Sequence, residues 1–187
     1  MSSYAPAVLL AGWLAWMAPF FFVKRGPSAQ RVDRRARWGI ALEAVGFGIV
    51  WFRPAWIAHS SPLRIGTAAA VFACGALLSW TSALALGTQW RFDAGLNADH
   101  QLVQTGAYRI VRHPIYGSML CMLVGTGLLM TRLWLVAIAL AFCVAGTEIR
   151  VRVEDGLLAS RFGAQFDDYR RRVHAYVPFL GGIGRKG

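Results

Sequence analysis

The chain has 187 residues, of which 56% are hydrophobic and 16% are charged, and its formal net charge is +11. Soluble domains contain about 45–50% apolar and about 25% charged residues, so this composition excludes an ordinary water-soluble protein and indicates a membrane protein. The basic residues lie in blocks between apolar runs, without the interleaved aromatic residues of a base-stacking surface, so we interpret them as loops facing an anionic membrane leaflet and expect no nucleic-acid partner.

Five apolar segments follow one another along the chain, at about residues 5–23, 38–57, 65–86, 115–130 and 133–147. A membrane-spanning helix needs roughly 20 apolar residues, within a range of about 17–25. The first three segments have this length, whereas the last two are shorter and are joined only by Thr131 and Arg132. The sequence therefore predicts an all-α, polytopic membrane protein of about five transmembrane helices, with a C-terminal helical hairpin. We interpret the first segment as a retained span, because no basic region precedes it and no small-residue cleavage site follows it.

The basic residues predict the orientation of these helices. Seventeen of the 20 lysines and arginines lie before the second segment, between the third and fourth, or after the fifth. Positively charged loops face the cytoplasm, so five spans place the N-terminus outside and the C-terminus in the cytoplasm. We therefore expect a multi-pass membrane protein whose polar C-terminal region, and any site built there, is cytoplasmic.

Residues 148–173 combine polar residues with apolar ones at helical spacing. This pattern predicts a cytoplasmic C-terminal helix that is amphipathic and broken at Gly163. The three cysteines, Cys74, Cys121 and Cys143, stand within apolar segments and form neither a CxxC motif nor a Cys/His cluster. We interpret each of them as a small buried hydrophobic residue, and we expect no disulfide framework and no metal site.

The densest polar and aromatic group between the apolar segments is residues 105–117, TGAYRIVRHPIYG. Gly106 permits a tight turn and Pro114 favours the first turn of a helix, so the fourth segment is predicted to begin at His113 and Pro114. The N-terminus of that helix would attract an anion, and Tyr108 and Tyr116 would offer aromatic faces to an adenine ring or a sulfonium. The same residues also fit an interfacial belt that anchors helices at headgroup level, and the pattern alone leaves both interpretations open.

A second charged group directly follows the fifth segment. Arg150 and Glu154 are four residues apart and share a helix face, while Glu148 and Arg152 form another such pair on nearly the opposite face. Because a short hairpin brings its two ends together, we expect this group to meet residues 105–117. Glu43 lies inside the second segment, where a carboxylate is costly, and the sequence leaves open whether it pairs with a basic group, faces a cavity or has a function.

The ordered set of motifs resembles the isoprenylcysteine carboxyl methyltransferases and the related phospholipid N-methyltransferases. The resemblance runs through residues 100–103 (HQLV), 105–108 (TGAY) and 112–117 (RHPIYG), and then Arg150, 154–158 (EDGLL), 162–163 (FG), Phe166, Tyr169 and Pro178. It covers residues 87–178, roughly half of the chain. It implies a single membrane-embedded methyltransferase domain over residues 1–187, with three spans in 1–86 and the cofactor-binding loop, the hairpin and the tail in 87–187.

The resemblance also implies roles for individual residues. It implies S-adenosylmethionine as cofactor, S-adenosylhomocysteine as product, and cofactor contacts at His100, Gln101, Leu102, Val103, Tyr108, His113, Pro114, Ile115, Tyr116 and Glu154. It implies that Arg150 orients the methyl acceptor, so that Arg150 and Glu154 are the catalytic residues, and that no metal is needed. Asp155 stands where the family has a second glutamate, and Asp93 is the candidate for a further polar contact upstream.

Methyl transfer from a sulfonium requires alignment of donor and acceptor and exclusion of water, which these residue types can provide. We expect a lipophilic acceptor that enters from the bilayer and carries a carboxylate, such as an isoprenylcysteine or an isoprenoid acid, because arginine binds carboxylates in a bidentate fork. A phospholipid or small amine is the alternative acceptor. The rival classes are an NADPH-dependent membrane reductase of the sterol-reductase type and a non-catalytic scaffold. Residues 157–163, LLASRFG, lack the Cys and Lys that the reductases carry at this point.

Overall fold

A computed structural model describes residues 4–23, 31–52, 61–90, 95–96 and 101–176 of the chain. The described residues form seven α-helices: α1 (Tyr4–Met17), α2 (Pro19–Phe22), α3 (Ala36–Trp51), α4 (Pro62–Leu86), α5 (Pro114–Met130), α6 (Leu133–Phe162) and α7 (Ala164–Arg172). Short 3₁₀ turns occupy Gly87–Gln89 and Gly106–Arg109. Two-residue strands, β1 (Arg31–Val32) and β2 (Gly95–Leu96), pair antiparallel with Arg31 opposite Leu96. The predicted helical, membrane-type architecture is confirmed.

Among the described residues, three helical stretches are long and apolar enough to cross a membrane, namely Tyr4–Phe22, Pro62–Gln89 and Leu133–Phe162. The α5 helix is also apolar but has only 17 residues. The α3 helix has 16 residues and does not reach a spanning length within the described residues, whereas α6 has 30 and does. The fifth segment is therefore longer than predicted. The length of the second segment and the number of about five spans stay predictions, because residues 53–57 lie outside the described part.

The α6 helix does not end at residue 147, where the apolar segment ends. It continues through the charged group to Phe162, so the second arm of the hairpin and the first part of the polar tail are one helix. The side chains change from apolar to charged at this point, and the helical backbone continues without interruption. The helix ends at Gly163, whose φ of +50° is rarely adopted by residues with a Cβ, and α7 follows. The predicted break at Gly163 is confirmed.

Small residues allow α3 and α6 to pack with their backbones in contact. A Cβ added to Gly39 would lie 2.6 Å from the carbonyl oxygen of Gly146, and one added to Gly146 would lie 2.5 Å from the carbonyl oxygen of Gly39. A Cβ on Gly46 would lie 2.5 Å from the Sγ of Cys143. Glycine is common where membrane helices approach this closely. The contact brings the polar residues of α3 within reach of those of α6.

Indole groups fix α1 against the rest of the bundle. The Nε1 of Trp13 donates to the hydroxyl of Thr126 at 3.1 Å, and the Nε1 of Trp16 donates to the hydroxyl of Ser118 at 2.9 Å. Both hydroxyls belong to α5, so α1 supports the first arm of the hairpin. Beside them Phe72 of α4 fills the space between α1 and α5 and is fully buried. These contacts fix the position of α5, and with it the polar end of the hairpin.

The cysteines differ in their surroundings. Cys143 is buried against α3, as predicted, whereas Cys121 is half-buried and Cys74 is exposed. The prediction that all three are buried is wrong for Cys74. In a lipid solvent an apolar side chain is not driven inward as it is in water, so a position inside an apolar segment does not predict burial.

Candidate active site

The candidate site lies at the polar end of the hairpin that α5 and α6 form. Pro114 is the first residue of α5, where its missing N–H costs nothing, and His113 immediately precedes it. The His113 imidazole lies between two carboxylates of α6. Its Nε2 is 2.8 Å from Asp155 Oδ1, and its Nδ1 is 3.2 Å from Glu154 Oε2. The predicted start of α5 and the predicted meeting of the two charged groups are both confirmed.

The two carboxylates keep His113 protonated. Burial by itself lowers the pKa of the imidazole, but hydrogen bonds to Asp155 and Glu154, together with the negative charges of these groups, raise that pKa from 6.5 to about 9. At neutral pH His113 is therefore an imidazolium that donates from both ring nitrogens. In this state it holds Glu154 and Asp155 in place and does not act as a base.

Glu154 connects His113 to Tyr116 and, through the Tyr116 ring, to Arg150. It accepts a hydrogen bond from the hydroxyl of the buried Tyr116, and the guanidinium carbon of Arg150 lies 4.6 Å from the centre of the Tyr116 ring. This distance is that of a cation–π contact. The side chain of Glu154 is 27% exposed, against 19% for Asp155. Glu154 is thus the more accessible of the two carboxylates that hold His113.

Arg150 forms a buried ion pair with Glu43 of α3. Its Nη1 lies 2.7 Å from Glu43 Oε2, and the hydroxyl of Thr147 donates to Glu43 Oε1 at 3.1 Å. The side chains of Arg150 and Glu43 are 10% and 6% exposed. The sequence left the role of Glu43 open, and the structure shows that it pairs with the arginine that the resemblance assigns to the acceptor.

The sequence assigned no role to Arg112, which joins three elements of the site. Its Nη2 donates to Asp155 at 2.8 Å, and its Nη1 donates to the carbonyl oxygens of Val173 at 2.5 Å and Arg170 at 3.3 Å. Those carbonyls lie at and just after the end of α7, where no helical N–H is available to them. The position of Arg112 directly before His113 in the RHP motif was the signal that could have identified it.

The segment after α7 returns to the site and pairs with the chain before α5. The backbone N–H groups of Arg112 and His113 donate to the carbonyl oxygens of His174 and Ala175, each at 2.7 Å. The hydroxyl of Tyr169 on α7 donates to the carbonyl oxygen of Tyr108 at 2.6 Å. The tail therefore covers the polar end of the hairpin.

Tyr108 is buried beneath this tail. Burial raises the pKa of the Tyr108 phenol well above its ordinary value, and the negative charge of Glu154 and the neighbouring Tyr169 raise this pKa further by smaller amounts. Burial likewise raises the pKa of Tyr169. Both phenols are therefore neutral at physiological pH, and they contribute aromatic surface and hydrogen bonds to the site without charge.

Four further residues implied as cofactor contacts, Gln101, Leu102, Val103 and Ile115, are among the described residues. Leu102 and Val103 are half-buried, and the backbone N–H of Gln101 donates to Gln89 Oε1 at 2.7 Å, beside the end of α4. Ile115 packs against the cluster of Phe20, Ala83 and Trp90 and so faces the bundle. His100, Asp93 and Pro178 lie outside the described residues.

The sequence model of the family described as phospholipid methyltransferase matches residues 63–165, more than half of the chain. The chain belongs to this family. The match runs from α4 through the hairpin to the start of α7, so it includes Arg112, His113, Arg150 and Glu154. Glu43, on α3, lies outside it.

Individual relatives are similar over shorter stretches. The chain is 42% identical over 81 residues to the nickel-cobalt-cadmium resistance protein NccN of Alcaligenes xylosoxydans xylosoxydans, covering 43% of this chain and 37% of the relative. It is 32% identical over 111 residues to a protein-S-isoprenylcysteine O-methyltransferase of Tribolium castaneum, covering 58% and 39%. It is also 32% identical over 83 residues to the protein of that name in Saccharomyces cerevisiae, covering 44% and 35%. The chain thus spans less than two fifths of the length of each of these three relatives.

Proposed function

We propose that this chain transfers a methyl group from S-adenosylmethionine to the carboxylate of a lipophilic acceptor, such as an isoprenylcysteine or a similar isoprenoid acid. The observation that carries the proposal is the group of Arg150, Tyr116, Glu154 and His113 at the polar end of an apolar hairpin. Membership of the phospholipid methyltransferase family supports methyl transfer, and the relatives named isoprenylcysteine O-methyltransferases support a carboxylate acceptor.

The donors and acceptors of this group fit S-adenosylmethionine. Among the described residues, the Tyr116 hydroxyl donates to one oxygen of Glu154 and His113 contacts the other. A carboxylate oxygen accepts two, so Glu154 retains capacity for the hydroxyl or ammonium groups of the cofactor. We infer that Glu154, Tyr116, Tyr108 and the start of α5 at Pro114 would hold the cofactor, with residues 100–103 along its approach. When bound, the cofactor supplies a methyl group on a sulfonium that needs no further activation.

The residues of the chain contribute alignment. Arg150 would orient the acceptor carboxylate through charge-assisted hydrogen bonds. A carboxylate is already ionised at neutral pH, so its methylation requires no general base, and holding the reacting groups in good geometry supplies about 7–11 kcal/mol. His113 would act one step away from the reacting atoms, because its two ring nitrogens are used to fix Glu154 and Asp155.

The acceptor's apolar part would lie in the lipid bilayer. Three helical stretches are apolar enough to cross a membrane, and large apolar side chains such as Leu77, Leu84 and Trp134 are exposed on them. We infer a multi-pass protein with its N-terminus outside and its site in the cytoplasm, where the cofactor would enter. The acceptor would then reach Arg150 from the side, with only its carboxylate leaving the lipid.

One observation favours an amine acceptor as the second candidate. Arg150 is paired with Glu43, and a paired arginine attracts a carboxylate less strongly than an unpaired one. A phospholipid or small amine would instead be attracted by Glu154, and the family's description points to such acceptors. The choice between acceptors is therefore tested together with the activity.

The test is calorimetric titration of the detergent-purified chain with S-adenosylhomocysteine and, separately, with NADPH, followed by transfer of radiolabelled methyl to N-acetyl-S-farnesylcysteine and to phosphatidylethanolamine. Saturable binding of S-adenosylhomocysteine alone, lost in Glu154→Gln, is the expected result. Asp168→Asn, which neutralises an exposed carboxylate on α7, is the matched control and should bind as the unchanged chain does. Binding of NADPH alone would refute the proposal in favour of a reductase, and labelled phospholipid without labelled cysteine derivative would assign the amine class.

A further inference from the structure

We propose that Glu43 is a positioning residue for Arg150 and supports turnover of a carboxylate acceptor, an inference that rests on the proposed function. Glu43 belongs to α3, outside residues 63–165 that the family model matches. Its role therefore comes from the contacts of this chain and not from the shared motifs.

The carboxylate of Glu43 is directed at Arg150 by two contacts. Oε2 lies 2.7 Å from Nη1 of Arg150, and Oε1 accepts the Thr147 hydroxyl at 3.1 Å. Thr147 and Arg150 are successive residues on one face of α6, three positions apart. A carboxylate that is bound at both oxygens cannot rotate away without breaking a buried hydrogen bond, so its orientation is fixed.

The stem of Arg150 is restricted by the same helix contact. A Cβ on Gly39 would lie 2.5 Å from Arg150 Cγ, and one on Gly146 would lie 3.1 Å from Glu43 Cγ. The arginine thus crosses α3 at a glycine, and the glutamate crosses α6 at another. This mutual fit leaves both side chains little freedom, and the ion pair forms between groups that are already aligned.

The head of Arg150 is held on its other side by Tyr116. The guanidinium carbon is 4.6 Å from the centre of that ring, and the Tyr116 hydroxyl donates to Glu154. The position of Arg150 is therefore set relative to Glu154, the residue that we place at the cofactor.

Two consequences follow for an acceptor. Glu43 keeps the guanidinium over the Tyr116 ring, where the acceptor carboxylate would meet it. It also pairs with the charge of Arg150, so a carboxylate is selected by directed hydrogen bonds rather than by net attraction. Removing the negative charge at residue 43 should therefore lower turnover of a carboxylate acceptor while leaving most of the cofactor affinity.

The experiment compares Glu43→Gln, Arg150→Gln and the double variant with the full chain in detergent. It measures kcat and KM for N-acetyl-S-farnesylcysteine, binding of S-adenosylhomocysteine and the thermal midpoint. Glu43→Gln should lower kcat at least tenfold and change S-adenosylhomocysteine affinity by less than threefold. The double variant should be no slower than Arg150→Gln alone, because Glu43 acts only through Arg150. Asp168→Asn is the control for loss of one negative charge and should leave kcat unchanged.

Thr147→Val provides a second variant in case Glu43→Gln does not fold. It removes one hydrogen bond to Glu43 and no charge, and it should lower kcat by about twofold to fivefold. A kcat within twofold of the unchanged chain in Glu43→Gln, or losses that multiply in the double variant, would overturn the role of Glu43 alone. Absence of methyl transfer by the unchanged chain would overturn the proposed function and this inference with it.

Discussion

Replacing His113 by glutamine tests whether the imidazolium holds the two carboxylates of α6. The pKa of His113 is raised from 6.5 to about 9 in the folded chain. One pKa unit corresponds to about 1.4 kcal/mol, so protonation of this buried group contributes about 3 kcal/mol to folding. Because the folded pKa is the higher one, this contribution is fully present below about pH 6.5 and is lost as the pH rises through about 9.

The assay is thermal unfolding in detergent at pH 6.5, 8 and 10, followed by tryptophan fluorescence. The unchanged chain should lose stability between pH 6.5 and 10, and His113→Gln should be less stable at pH 6.5 and should lose less over the same range. His174→Gln is the matched control, because glutamine keeps the backbone carbonyl through which His174 contacts Arg112. Equal pH dependence in the unchanged chain and in His113→Gln would refute the charged state of His113 that the structure indicates.

Three further substitutions test the packing around the site. Gly39→Ala should lower the free energy of unfolding by about 1–3 kcal/mol in urea unfolding, because its Cβ would overlap α6, whereas Gly48→Ala on the same helix meets nothing within 4 Å and should be tolerated. Gly163→Ala should destabilise by about 1–3 kcal/mol because of the positive φ, while Gly156→Ala, inside α6 with open space around it, should stabilise by about 0.5–1 kcal/mol in the same assay. Arg112→Lys should speed amide hydrogen exchange in the segment after α7, because one ammonium cannot replace a planar guanidinium that bonds Asp155 and two carbonyls together.

The parts of the site that are local in sequence could be predicted from it. Pro114 marks the start of α5 because proline is favoured at the first helical position, and the two-residue connection at Thr131 and Arg132 requires α5 and α6 to be neighbours. Together these two features place His113 near the charged end of α6. The positive φ of Gly163 is likewise a local property of glycine, and the break there was predicted for that reason.

The partner of Arg150 could not be predicted in the same way. Its spacing from Glu154 fits an i, i+4 pair, but the salt bridge of Arg150 goes to Glu43, 107 residues earlier in the chain. The choice depends on the approach of α3 to α6 at Gly39 and Gly146, and no periodicity in either segment specifies which glycines meet. The i, i+4 rule did apply to Glu148 and Arg152, which pair at 2.8 Å on the exposed face of α6.

The buried charges of the site alternate in sign, and this alternation explains why two arginines, a histidine and three acids can lie together at the end of a membrane helix hairpin. From the tail inward the order is Arg112, Asp155, His113, Glu154 and, across the Tyr116 ring, Arg150 and Glu43. Each of these six charges has an opposite charge beside it, which is the condition under which ionised groups are tolerated away from water. Glu154 is the most exposed of the three acids. A cationic ligand would therefore be drawn most readily to Glu154, which its neighbours orient and which is the most exposed of these acids, and this is the property that we expect a sulfonium cofactor to use.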